Sequence, residues 1–132
     1  MKRPLPRLDE PDTGPFWEAA GRRELVYQTC DECGEVVFFP RAHCTACLSR
    51  SLSWRTSAGR GCVYTFSVVR VNRHPGFAGL VPYIVAWVDL DEGFRMMTHL
   101  VDVAPEEVTV GARVEVRWQE VDDRTLPVFA PV

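Results

Sequence analysis

The stretch that decides the fold is Cys30-Asp31-Glu32-Cys33-Gly34 with Cys44-Thr45-Ala46-Cys47, ten residues separating the two cysteine pairs. Two C-x2-C pairs brought together by a hairpin can place four thiolates at about 2.3 Å from one soft divalent ion in a tetrahedron. Such a ribbon of about forty residues buries too little apolar surface to fold alone, and structural zinc contributes on the order of 10 kcal/mol. Four cysteines close the coordination sphere, so the ion is expected to be structural Zn2+, with iron in a rubredoxin-like site as the rival. Gly34 lets the backbone turn behind the first pair, whereas the second pair has Leu48 at that place. His43, beside Cys44, is a candidate fourth ligand in a Cys3His site or a surface residue. The remaining cysteine, Cys62, makes five, and an odd count in a reducing compartment speaks against a closed set of disulfides.

Between the pairs, Val36-Val37-Phe38-Phe39 reads as a strand and Pro40-Arg41-Ala42 turns the chain back. Upstream, Pro4, Pro6, Pro11 and Pro15 make residues 1–21 an extended leader, ending in a short helix through Pro15-Phe16-Trp17-Glu18-Ala19-Ala20. Phe16 and Trp17 on so short a helix must dock, either on the protein's own core or on a partner.

From residue 61 onward the pattern is β. Val63 to Val68 alternates, and its phase flips at Val69-Arg70-Val71, where a bulge is expected. Tyr83 to Val88 is nearly all apolar and predicts a strand buried on both faces. Asp89-Leu90-Asp91-Glu92-Gly93 is a tight turn into a hairpin strand, Phe94 to Val101, with His99 on its outer face beside Arg95 and Met97. Ala104 to Val108 is a short helical link. Arg113 to Gln119 alternates, with Val114, Val116 and Trp118 inward, and Leu126 to Ala130 is a last strand, placed at an edge by Pro127. The fold class is therefore mainly β: a ribbon over residues 22–58, then a five-stranded OB-type barrel over 59–132, with a small sandwich as the alternative.

The 132 residues include 15 basic and 18 acidic side chains, and no apolar run approaches the length needed to cross a bilayer. The basic leader residues are followed by Leu8-Asp9-Glu10-Pro11-Asp12 rather than an apolar core, so the expected location is cytoplasmic. Six basic and ten acidic groups fall in residues 61–132, and a Zn(Cys)4 centre adds a formal charge of about −2 to the ribbon. Single-strand nucleic-acid binding, a role that ribbons and OB folds both serve, needs a positive surface, and this charge speaks against it.

No nucleophile, base and oxyanion set assembles from the sequence. His43, His74 and His99 each have a plain structural reading, and Cys62 has no neighbouring base. The loop His74-Pro75-Gly76-Phe77-Ala78-Gly79 is a candidate contact surface or a connector. Arg55, Arg60, Arg70 and Arg73 near the ribbon–barrel junction are candidates for CoA phosphates or acidic groups of a partner, or are ordinary solvated arginines. An independent hydrolase is the weakest of the alternatives.

The order of segments resembles the family called domain of unknown function 35 (DUF35). The resemblance rests on Phe16-Trp17-Glu18, the two cysteine pairs, Pro40-Arg41, Leu52-Ser53-Trp54, Gly59-Arg60-Gly61, Val63-Tyr64-Thr65-Phe66, Pro82-Tyr83 and Asp91-Glu92-Gly93, and it spans residues 16–131. Cys62 stands where a threonine is frequent in that family. The resemblance implies a zinc ribbon joined to an OB fold. It also implies a non-catalytic accessory subunit of a thiolase-superfamily enzyme acting on acyl-CoA, such as a thiolase or a retro-aldolase of steroid side-chain degradation. By that analogy two accessory chains join two catalytic chains, acyl-CoA is a possible ligand, and Phe16, Trp17, Arg60, Arg73, His74 and Phe77 are candidate contacts.

Overall fold

The structure is a computed structural model that describes residues 3–132. After the leader, helix α1 (Gly14–Gly21) starts with Pro15 in its first turn, where the missing N–H costs nothing. Arg23 leaves the helix with φ 61°. Strands β1 (Val26–Cys30), β2 (Val36–Val37) and β3 (Leu52–Thr56) form an antiparallel sheet in the order β2-β1-β3. Then come β4 (Arg60–Val69), the single-turn helix α2 (Pro75–Ala78), β5 (Tyr83–Leu90), β6 (Arg95–Leu100), a 3-10 turn at Pro105–Glu107, β7 (Arg113–Val121) and β8 (Arg124–Pro131). These five strands close a barrel in the order β4-β5-β6-β8-β7, so the barrel rather than the sandwich is the architecture. Among the described residues no helix is long and apolar enough to cross a membrane.

Val63, Ala86, Val88, Met96, Val114 and Phe129 fill the barrel, and Phe16, Ala19 and Leu25 join the same cluster from outside it. A second, smaller cluster of Cys30, Val37 and Cys44, with Leu52 against it, is the ribbon's own core. The two are coupled through Phe94 at the β5–β6 hairpin: its ring stacks on Tyr27 at 4.9 Å and lies 4.8 Å from Phe38. Such aromatic pairs each contribute about 0.5–1.5 kcal/mol beyond their area.

Several sequence expectations are corrected. The bulge in β4 lies between Val63 and Thr65 rather than at Val69, because the pairing steps from Val63↔Val88 to Thr65↔Trp87 and leaves Tyr64 over. The extra residue turns Tyr64 outward under the Arg95 guanidinium, 3.5 Å from its ring centroid, and lets both Val63 and Phe66 face the core. Strand β5 is not buried on both faces: Ile84, Ala86, Val88 and Leu90 are buried, while Tyr83, Val85 and Trp87 are half-covered. Strand β8 is not a free edge. It pairs along β7 and also meets β6 in parallel at Leu100↔Phe129, so closure occurs beyond Pro127, where backbone donors are available again. The expected strand Val36–Phe39 stops at Val37, since Phe38 turns toward Phe94.

Candidate metal centre and apolar groove

The first cysteine pair leaves the end of β1, and the second lies in the loop before β3. The Sγ atoms of Cys30, Cys33, Cys44 and Cys47 all lie within 4.8 Å of one another. Cys30 and Cys47 are 3.6 Å apart, and Cys33 and Cys44 are 3.5 Å apart. A tetrahedron with metal–sulfur bonds of about 2.3 Å has edges of about 3.8 Å, so the sulfurs sit at the spacing a tetrahedral ion requires. Backbone amides point at the sulfurs: Cys33 N–H donates to Cys30 Sγ at 3.5 Å and Ala46 N–H to Cys44 Sγ at 3.3 Å. The Cys33 amide, helped by that of Glu32, pulls the Cys30 thiol down to about 7 against the effect of its burial. The chemistry of this donor set is that of a closed thiolate site.

The two knuckles share one backbone turn despite their different sequences. Gly34 N–H donates to Cys30 O at 3.0 Å with φ 78°, and Leu48 N–H donates to Cys44 O at 3.1 Å with φ 66°. Leu48 thus takes the left-handed conformation that Gly34 takes freely, with its side chain 74% exposed. His43 is exposed beside Cys44, outside the group of four sulfurs. The turn between the knuckles is held by buried Gln28, whose Nε2 donates to Arg41 O at 3.0 Å and whose Oε1 accepts from Arg41 N–H at 2.8 Å.

Against this turn lies a groove of about 310 Å³ whose lining includes Trp17, Phe39, Phe77, Met97 and Leu126, with Arg3, His99 and Gln119 as polar members. Of the candidate contacts, Phe16, Trp17 and Phe77 are brought to this groove. Phe16 is only 6% exposed, so its ring docks mainly on the protein's own core, one of the two dockings expected for it. Trp17 remains half-buried with its ring edge-on to Phe16 at 4.9 Å. His74 is exposed, caps α2 by accepting from Gly76 N–H at Nδ1, and lies 5.7 Å from Phe77. Arg73 is exposed on the same loop, and Arg60 stands apart, beside Glu115 at 3.9 Å.

His99 is not a simple outer-face residue. Its ring lies against Tyr83 at 4.9 Å, tilted by 31°, and burial, with the nearby Arg3 charge, lowers its pKa. Tyr83 Oη in turn accepts from Asn72 at 2.8 Å, tying the loop before α2 to the barrel. The groove's contribution from β6 and β8 went unread in the sequence; the one available signal was Met97 between polar neighbours on an outward-facing register.

The family model described as the ChsH2 rubredoxin-like zinc ribbon domain matches residues 17–53, and that of the ChsH2 C-terminal OB-fold domain matches residues 54–119. A probable enoyl-CoA hydratase alpha subunit of Thermomonospora curvata is 41% identical over 98% of this chain, which spans 40% of that protein's length. A DUF35 domain-containing scaffold protein of Methanocaldococcus jannaschii is 34% identical over 75% of this chain and 70% of its own. The benzoylsuccinyl-CoA thiolase subunit BbsA of Geobacter metallireducens is 37% identical over 54% of this chain and 46% of its own. Among solved structures, a chain of the Ltp2-ChsH2(DUF35) aldolase superposes with a TM-score of 0.86 at 38% identity, covering 98% of both chains. With a four-cysteine ribbon, a closed OB barrel and both matching models in the expected order, the chain belongs to the DUF35 family in its ChsH2 form.

Proposed function

We propose that this chain is the non-catalytic accessory subunit of a thiolase-like acyl-CoA enzyme, a thiolase or a retro-aldolase of the kind that shortens steroid side chains. The observation that carries this reading is the superposition over nearly the whole chain on the DUF35 chain of an aldolase. The names of the hydratase and thiolase subunits, both concerned with CoA thioesters, support the same class of chemistry. In this reading Cys30, Cys33, Cys44 and Cys47 hold a structural Zn2+. The ion fixes the ribbon, and the ribbon fixes the Phe38–Phe94–Tyr27 contact that orients it on the barrel. The partner supplies the nucleophile and the acid–base groups. Trp17, Phe77, His74 and Arg73 lie on or beside the groove and meet the partner there, and Arg60 offers a separate cationic contact. The assembly has two accessory and two catalytic chains, works in the cytoplasm, and uses this subunit to stabilise the catalyst and shape its acyl-CoA channel.

The test is co-expression with a thiolase-like chain from the same genome, followed by affinity capture and mass measurement of the complex. A stable complex whose thiolytic or retro-aldol activity depends on this chain supports the reading. Capture of oligonucleotide with no thiolase-like chain would overturn it.

A further inference from the structure

We propose that the groove between α1, β6 and β8 is a binding site for an organic monocarboxylate with an apolar body, its carboxylate set on Arg3. This inference concerns the chain alone and stands or falls separately from the accessory role. The volume of about 310 Å³ lies at the lower end of small-molecule sites, and the walls are mainly apolar with a few polar groups, as such sites require. The polar members cluster around Arg3. Its Nη2 donates to Gln119 Oε1 at 2.8 Å and its guanidinium lies 5.9 Å from the Phe77 centroid. His99 feels its charge.

Among the described residues no carboxylate forms an ion pair with Arg3, so a neutral amide orients the guanidinium without neutralising it. A guanidinium has five N–H donors in a fixed fork, and most of this fork is left for a ligand. Although Glu120 and Asp122 line the adjoining pocket with it, Arg3 is held by a neutral amide, and a cation so held beside a largely apolar wall selects a single negative charge on an apolar body. The leader thus supplies the charge, and Met97 and Leu126 receive the alkyl part.

Binding is tested with decanoate as the probe, titrated into the full metal-loaded chain below its micelle-forming concentration and followed by backbone amide shifts. We expect saturable one-site binding with shifts at Thr98, His99 and Leu126, and binding of decanol at least about tenfold weaker, the difference a charge-assisted hydrogen bond makes. Arg3→Met should weaken decanoate binding by about the same factor and leave decanol unchanged. Met97→Trp, at a position 48% exposed on the groove, should block both probes while leaving the unfolding midpoint within a few degrees. No saturable binding, equal binding of decanol and decanoate, or full affinity in Arg3→Met would each overturn the proposal.

Discussion

Glu92 grips Ser57: the Ser57 hydroxyl donates to Glu92 Oε1 at 2.7 Å, and the other carboxylate oxygen accepts from the next backbone amide, Ala58 N–H, at 2.8 Å. The tip of the β5–β6 hairpin therefore holds the linker between ribbon and barrel. Two hydrogen bonds to a charged acceptor at a partly covered site are worth about 1–2 kcal/mol after solvent screening. Glu92→Ala should lower the thermal midpoint by roughly 4–8 °C, with Glu92→Gln in between, since its amide keeps one acceptor. Unchanged unfolding in Glu92→Ala would show that the linker is held by other means.

The same linker ends at Gly59, which has φ 73° and whose carbonyl accepts from Val116 N–H at 2.7 Å. A Cβ there would run into Val116 Cγ1. Gly59→Ala should cost about 2–4 kcal/mol, from the collision and the left-handed backbone together. Adding Val116→Ala removes the collision and leaves the backbone strain. The double variant should therefore lose less than the sum of the two single losses in denaturant unfolding, whereas strict additivity would place the cost elsewhere.

Leu48 occupies a glycine's conformation without a packing reward, as its φ of 66° and 74% exposure show. Leu48→Gly should stabilise the ribbon by about 0.5–1 kcal/mol, less than the full left-handed penalty because glycine gains freedom in the unfolded chain. Slower metal loss to a chelator than in the parent protein is the expected readout; faster loss would give the leucine a contact of its own.

How far the fold can be read from the sequence follows from which signals are local. The cysteine spacing, the Asp91-Glu92-Gly93 turn and the alternation of Arg113–Gln119 are set by neighbours in the chain, and each reappears in the structure. The position of the bulge at Tyr64 is not local, because a one-residue slip is fixed by what lies across the strand pair, here Val88 and Trp87, with Arg95 of the next strand covering the Tyr64 ring. Closure of β8 on β6 depends on a single pairing, Leu100↔Phe129, that no local pattern announces. The groove was hidden for the same reason: Arg3, Met97 and Leu126 meet only after the leader, α1 and the barrel are assembled.

Metal removal should separate the two clusters. Thiolates bind the ion in competition with protons, so acidification or a strong chelator should release it. Cys30→Ser is expected to bind less than the stoichiometric metal of the parent and to lose the ribbon's amide protection, while Val63, Val88 and Val114 in the barrel keep theirs. Full metal content in Cys30→Ser would contradict the ligand assignment.

His99 gives the barrel a pH dependence of defined sign. Burial against Tyr83, with Arg3 nearby, lowers its pKa below the ordinary 6.5, so folding favours the neutral ring. Near and below pH 6.5 the unfolded chain binds a proton at this site more readily than the folded chain does. Stability from this group is therefore complete above about pH 6.5 and is lost as pH falls toward the depressed value. His99→Phe keeps a ring against Tyr83 and cannot take up the proton. Urea midpoints measured from pH 5 to pH 8 should rise more steeply in the parent than in His99→Phe, with the difference confined to the range at and below pH 6.5. Parallel profiles would mean that His99 is as freely protonated in the folded chain as in the unfolded one.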